Sequence, residues 1–508
     1  MQTNILDWLE VTSARCPDAP AVGDDQIDCT WAQLADTARR AGSFLASRTM
    51  PRHPVAFYLE KSVSAFAAML GTVYAGCCYS VLDTRQPAAR TLQVLDTLTP
   101  ALLVTDEAHA AAAAALGYSG QIIRLDDLLA APADAALLAN RRRQAVDVDP
   151  LYINFTSGST GVPKGVTVSH RSVLDFIPQF AEIFGITQND ILGNQAPFDF
   201  DVSVKDLYTA LYTGAKVQII PRAYFSQPTK LMDYLADHEV TILVWAVSAM
   251  CFVSIMNGFS YRIPSHVRQV LFSGEVMPIK HLMKWKSALP HARFVNLYGP
   301  TEITCNCTYA ILPDRDFAPD EALPIGRAFP NEKVFLLDEN DALVTVPGQA
   351  GEICVSGTAL ALGYYADPVR TAQAFTQNPL NTNWYERIYR TGDLARYDES
   401  GSLYYIGRRD FQIKHMGHRV ELGEIEAAAM RCDAVTRACC TFDAERQRLH
   451  LFYTGSCEKA ALLAALKESL PPFMQPNTAV QLDEMPLNKN GKIDRTALAA
   501  LTKKGAHK

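Results

Sequence analysis

The sequence predicts an α/β protein: a large N-terminal domain of packed α/β sheets carrying a small β-rich subdomain, followed by a small C-terminal α+β domain. Three observations predict it. Apolar strand-like runs alternate with helix-like periodicity as far as about residue 300. Glycine and proline become denser between about residues 320 and 409, where the strand-like runs shorten. A compact α/β pattern of about a hundred residues, an ordinary size for a small domain, then completes the chain. A chain of 508 residues, 48% of them hydrophobic, exceeds what one core usually holds. The boundary falls at Asp410, giving domains 1–409 and 410–508.

Taken in order, residues 30–47 and 62–76 have helical periodicity, and 101–105 and 121–125 are short apolar strands. The run 108–115 reads as an alanine-rich helix, because alanine has the best helix propensity. Residues 151–155 form an apolar strand that stops at the loop T-S-G-S-T-G-V-P-K-G, 156–165. Strands at 217–220, 240–245 and 270–273 and a helix at 229–238 continue the alternation. The stretch 240–261 is uncharged over the ~20 residues that a bilayer needs. Its first part is β-branched and it contains Ser248, Ser254, Asn257 and Gly258, so a buried strand running into a buried helix fits better than a membrane span. In the β-rich region, strands are expected at 334–337, 352–356 and 403–406. Strands alternating with helices imply largely parallel sheets with ligands at the carboxyl ends of strands. The 156–165 loop, Ser273-Gly274 and Tyr298-Gly299-Pro300 all follow such strands.

A net charge of −7 gives no reason to expect nucleic acid or an anionic membrane as a partner. Twelve cysteines are scattered without a C-x-x-C, which reads as free, mostly buried thiols in a reducing compartment. The N-terminus lacks a basic-then-apolar pattern, so a cytoplasmic protein is expected.

The loop after residue 155 suits an anion. Gly158, Gly161 and Gly165 allow backbone N–H groups to converge, and Ser157, Ser159, Thr160 and Lys164 add donors and charge where phosphate oxygens would sit. It lacks the spacing of a Walker loop, and a solvated turn is its plain alternative.

Seven stretches in order carry a resemblance: T-S-G-S-T-G-V-P-K-G, N-L-Y-G-P-T-E, G-E-I-C-V-S-G, Y-R-T-G-D-L, G-R-R-D-F-Q-I-K, G-H-R-V-E-L-G-E-I-E and N-K-N-G-K-I-D-R. Together they resemble the ordered motifs of the adenylate-forming (AMP-binding) superfamily, over residues from about 30 to 495. Through F-D-V-S-V-K-D-L-Y, L-F-S-G-E-V-M-P and D-F-Q-I-K the chain is most similar to amino-acid adenylation domains of nonribosomal peptide synthetases, and to freestanding D-alanine:carrier-protein ligases. The resemblance implies a mobile C-terminal domain, an active site between the two domains and a two-step reaction. A carboxylate and ATP give an acyl-adenylate and pyrophosphate; a thiol then takes the acyl group and AMP leaves.

A carboxylate is already a nucleophile at neutral pH. The first step therefore needs two anions held in line and their charge neutralised, by backbone amides, lysine and magnesium. By resemblance, Thr156, Ser157 and the following loop (Gly158, Ser159, Thr160, Gly161) hold the β- and γ-phosphates, while Lys164 is divided between loop electrostatics and a surface charge. Lys492 matches the catalytic lysine that bridges the substrate carboxylate and the α-phosphate, and Glu302 the glutamate associated with Mg2+. Tyr298 should face the adenine and Asn296 its edge, within a motif that includes Gly299 and Thr301. Asp393 is the expected acceptor for the ribose hydroxyls, and Arg408 a further nucleotide contact. Asp410 is the expected hinge, moving the 414–419 loop in as Lys492 moves out.

Asp201 matches the aspartate that pairs with the substrate's α-ammonium, with a surface loop aspartate as its plain alternative. The implied pocket is Asp201, Val202, Lys205, Val244, Leu271, Ser273, Leu297, Cys305, Asn306 and Lys492, walled by Phe200 and bordered by Gly274. D-Alanine ligases carry an apolar residue where Lys205 stands and a cysteine where Ser273 stands. An inward lysine suggests an acidic or amide side chain on the substrate, with Asn306 as a second polar contact. Equally, Lys205 could pair with Asp206 or reach solvent along its stem.

With no carrier or condensation motif in view, the expected acceptor is a separate carrier protein bearing phosphopantetheine. The expected function is thus ATP- and Mg2+-dependent activation of an amino acid and its transfer to that carrier. An acyl- or aryl-CoA ligase is the alternative enzyme, and a non-catalytic nucleotide-binding protein the alternative of another class.

Overall fold

The computed structural model describes residues 2–157, 163–409, 411–444, 446–487 and 493–504. The chain divides into two compact units: residues 1–84, 98–154 and 165–409, and residues 85–97, 155–164 and 410–508. Six of the predicted site residues, Gly158, Ser159, Thr160, Gly161, Asp410 and Lys492, lie outside the described residues.

Among the described residues, the alternation of apolar runs becomes two large sheets. One has nine strands, in the order Arg327–Ala328, Thr308–Ile311, Arg293–Tyr298, Gln269–Ser273, Ile242–Ala246, Ile191–Asn194, Lys216–Ile219, Pro20–Gly23 and Asp28–Thr30. Its middle strands are parallel and apolar on both faces, as expected where helices cover both sides. The other has seven strands, with Pro54–Tyr58 between Cys78–Leu82 and Leu102–Thr105, all parallel. The predicted helices appear as Trp31–Ala46 and Val63–Tyr74. The first starts at a capping box: Thr30 accepts from the Gln33 amide while Gln33 accepts from the Thr30 amide. The uncharged stretch near residue 250 is the buried strand Ile242–Ala246 followed by the helix Val247–Ile255. Among the described residues no helix is long and apolar enough to cross a membrane.

The elements around the site are the helix α1 (Val202–Thr213) and the strands β1 (Ile242–Ala246), β2 (Gln269–Ser273), β3 (Arg293–Tyr298), β4 (Thr308–Ile311), β5 (Arg387–Tyr397) and β6 (Leu403–Arg408). β5 and β6 belong to a five-stranded antiparallel sheet that makes up the β-rich region. The expectation of short strands there is corrected by β5, which runs for eleven residues. Within it, Gly392 takes up the left-handed region at φ 72°.

In the second unit, Val435–Asp443, Arg448–Gly455 and Thr478–Gln481 form a three-stranded sheet packed with the helices Leu422–Met430 and Lys459–Ser469 around Tyr453, Leu451 and Ile425. This is the expected α+β pattern. All twelve cysteines are free; Cys16, Cys29, Cys251 and Cys432 are only half-buried.

Candidate active site

β1, β2 and β3 lie side by side in parallel register, with Val244 beside Leu271 and Leu271 beside Val295. Side chains two apart on a strand share a face, so Val244, Leu271, Ser273 and Leu297 all point to one side of the sheet. The core divides accordingly. Val244, Leu271, Val295 and Leu297 pack in one cluster with Val202 of α1, whereas Leu243, Trp245, Val270 and Phe272 pack in another on the opposite face. Ser273 ends β2, and Gly274 follows at φ 100°, which turns the chain away from the sheet.

Asp201 immediately precedes α1, at its N-cap position. An aspartate at this position ordinarily accepts from the amides of the first turn, yet Asp201 makes no capping hydrogen bond and is 6% exposed. Its carboxylate is therefore a buried feature beside the helix end, which removes the surface-loop alternative. One turn later, Lys205 is fully buried and donates from Nζ to Asn306 Oδ1 at 2.7 Å. Both alternatives for Lys205 fail. It does not reach solvent, and Asp206 instead accepts from Asn194 Nδ2 at 2.9 Å. Burial holds the Lys205 pKa below the usual ammonium range, opposed by Cys305, Asp201 and Asp206.

The partner loop is strained. Thr304 and Cys305 have φ of 51° and 77°, a region that non-glycine residues, and β-branched ones above all, rarely enter. Thr304 is pinned by donating to the Ala359 carbonyl at 2.6 Å, and the Cys305 thiol donates to the Asp201 carbonyl at 3.1 Å. Gly299 makes room for this loop: a Cβ there would lie 2.4 Å from Asn306 Cα.

At the end of β3, the buried Tyr298 donates to Asp393 Oδ2 at 2.5 Å, and Arg408 donates to Asp393 Oδ1 at 2.6 Å across the β5–β6 pair. Burial, reinforced by Asp393, pushes the Tyr298 pKa well above its ordinary value, so the phenol keeps its proton. Asn296 donates to the Pro324 carbonyl at 2.8 Å. Thr301 and Glu302 are buried, and Glu302 Oε1 accepts from the Tyr364 hydroxyl at 2.8 Å. The structure thus brings Asp201, Lys205, Cys305 and Asn306 together, and likewise Tyr298, Asp393 and Arg408. Of the anion loop, Thr156 has a buried hydroxyl with no hydrogen-bond partner among the described residues, Ser157 is buried, and Lys164 is 9% exposed, which removes the surface-charge reading.

Sequence reasoning missed Tyr364 and Thr304. No local signal marks Tyr364, whose partner lies sixty-two residues away, and a threonine gives no hint of positive φ.

The description of the AMP-binding enzyme family matches residues 9–365, and that of the AMP-binding enzyme C-terminal domain matches residues 424–492. The L-proline--[L-prolyl-carrier protein] ligase of Streptomyces coelicolor is 33% identical over 520 residues, covering 95% of this chain and 94% of that protein. Tyrocidine synthase 2 of Brevibacillus parabrevis is 32% identical over 503 residues, but these are 97% of this chain and 13% of that much longer protein. Among solved structures, a nonribosomal peptide synthetase protein containing adenylation and PCP domains, bound to a vinylsulfonamide inhibitor, matches with a TM-score of 0.84 at 26% identity. That match covers 98% of this chain and 84% of the other. With both family descriptions matched in order and a relative aligned over 95% of this chain and 94% of its own, the chain belongs to the AMP-binding enzyme family.

Proposed function

We propose that this enzyme activates an amino acid with ATP as its aminoacyl adenylate, and then passes the aminoacyl group to the phosphopantetheine thiol of a separate carrier protein. In the first step a substrate carboxylate oxygen bonds to the α-phosphorus and pyrophosphate leaves. In the second the thiol sulfur bonds to the acyl carbon, AMP leaves, and the thiol proton passes to solvent. The similarity to a prolyl-carrier protein ligase, over 94% of that protein, supports this reading.

The observation that carries it is Asp201: a carboxylate at a helix start, buried and not used as a cap, beside the loop that leads on from Tyr298. A carboxylate so placed suits a substrate ammonium, through a charge-assisted hydrogen bond in a site of low polarity. Asp393, held from two sides by Tyr298 and Arg408, suits the ribose hydroxyls, since each of its oxygens can accept more than one hydrogen bond. Thr156, with its buried hydroxyl, suits a phosphate oxygen. Lys492 is assigned to the α-phosphate and the substrate carboxylate, and Asp410 to the hinge between domains 1–409 and 410–508.

Glu302 fits a magnesium ion. It is fully buried, and its Oε1 accepts from the Tyr364 hydroxyl. Magnesium takes few protein carboxylates and completes its shell with phosphates and water. When bound it would neutralise charge growing on the phosphates.

The test is ATP–pyrophosphate exchange across amino acids, with aryl and fatty acids as controls. Exchange that depends on one amino acid, and is lost in Asp201→Asn and Lys492→Ala, is expected. Exchange with an aryl or fatty acid alone would overturn the amino-acid reading.

A further inference from the structure

The Lys205–Asn306 pair has a surplus of donors. An ammonium carries three N–H donors and no acceptor, and Asn306 Oδ1 takes one of them. Once that oxygen is used, the rest of the Asn306 side chain is an NH2 group, which adds two donors more. Both side chains are at least 99% buried. Among the described residues no carboxylate forms an ion pair with Lys205, although Asp201 and Asp206 are near enough to favour its charge. Asp206 is engaged by Asn194, and burial raises its pKa to about 7, so it is a poor permanent counter-ion.

A buried cation with one neutral acceptor is costly to maintain and is kept where something completes it. The protein also holds the other half of the pair under strain. Thr304, anchored on Ala359, and Cys305 are both left-handed, and Gly299 lacks the Cβ that would meet Asn306 on the loop that brings it to Lys205.

Building on the amino-acid-activating reading, we propose that the substrate is an acidic amino acid, whose side-chain carboxylate is received by Lys205 and Asn306 while Asp201 receives its α-ammonium. The charges then match in pairs: Asp201 with the ammonium, Lys205 with the side-chain carboxylate, and the α-carboxylate left to react. Four residues along a helix put Asp201 and Lys205 on one face, about 6 Å apart along the axis, a span that suits a side chain of one or two methylenes. A carboxamide fits less well, because its NH2 would meet the NH2 of Asn306 or the ammonium with donor facing donor.

The experiment is ATP–pyrophosphate exchange of the full chain with both enantiomers of aspartate and glutamate, their amides, and alanine, valine and norvaline, for wild type and Lys205→Met. An acidic substrate is expected to exceed its own amide by at least about 100-fold in kcat/KM. Lys205→Met is expected to lower that value by about 100-fold or more and to shift the preference toward norvaline or the amide. Exchange led by an amide or an apolar amino acid in wild type would overturn this inference and leave amino-acid activation standing. Equal preference in wild type and a folded Lys205→Met would overturn it too. If Lys205→Met does not fold, the wild-type ranking decides alone. Exchange with no amino acid at all would overturn both readings.

Discussion

Tyr298 and Asp393 are joined by a hydrogen bond of 2.5 Å between residues ninety-five positions apart, so the end of a parallel strand in one sheet fixes a carboxylate in another. With Arg408 on its other oxygen, Asp393 has one available orientation. Tyr298→Phe removes one of these constraints while keeping the ring. The expected result is a rise of about 5- to 10-fold in the KM for ATP with a smaller change in kcat, matching about 1 kcal/mol for one hydrogen bond. An unchanged KM for ATP would show that the phenol serves packing alone.

Glu302 takes a hydrogen bond from Tyr364 through an oxygen that glutamine also has. Glu302→Gln therefore keeps the contact and loses the charge. The half-saturating magnesium concentration in pyrophosphate exchange should rise by about 10-fold or more, with little change in the thermal midpoint. Tyr364→Phe should move magnesium dependence less than Glu302→Gln does. A magnesium titration of the three proteins checks the order.

Gly299 stands where a Cβ would meet the backbone at Asn306 Cα, Cys305 O and Cys307 N, at 2.4, 2.7 and 2.9 Å. None of these atoms can swing aside as a side-chain tip can. Gly299→Ala should cost about 1–3 kcal/mol, as overpacking does, and displace the loop that carries Asn306. Thermal melts should fall modestly, while discrimination among amino acids in the exchange assay falls by more. A variant with wild-type discrimination would show that the loop absorbs the methyl group elsewhere.

How far the sequence could foretell these relationships follows from the range of the interactions. The helices Trp31–Ala46 and Val63–Tyr74 are set by local periodicity and by the caps Thr30 and Ser62, so their bounds were legible to within a few residues. The pocket residues Val244, Leu271, Ser273 and Leu297 could be named from motifs. Their common face depends on a strand register that no local signal encodes. The direction of Lys205 was open for the same reason: its partner lies 101 residues away, on a loop whose left-handed torsions occur at threonine and cysteine rather than glycine. Ile191–Asn194, inserted between Ile242–Ala246 and Lys216–Ile219, likewise follows from the crossover of the chain and from nothing in its own four residues.

His170 offers a measurement away from the chemistry. It is 3% exposed, at the first turn of the helix His170–Phe184, and its Nδ1 accepts from the Ile5 amide at 3.4 Å, which requires the neutral ring. Burial, helped by Arg142, lowers its pKa from 6.5 to about 4, against the opposing pull of Asp149, Asp7 and Asp147. In the unfolded chain the ring returns to its ordinary value. Between these two values the unfolded state binds the extra proton, so stability rises with pH across the window. The contribution is fully present above about pH 6.5, declines as the pH falls toward 4 and changes no further below that. At 1.36 kcal/mol per pH unit the whole window is worth about 3 kcal/mol. Denaturant midpoints measured between pH 7.5 and 4.5 should therefore fall more steeply in wild type than in His170→Phe, which has no proton to take up. Equal slopes would mean that His170 is protonated within the fold, and the bond from Ile5 would have to be given up.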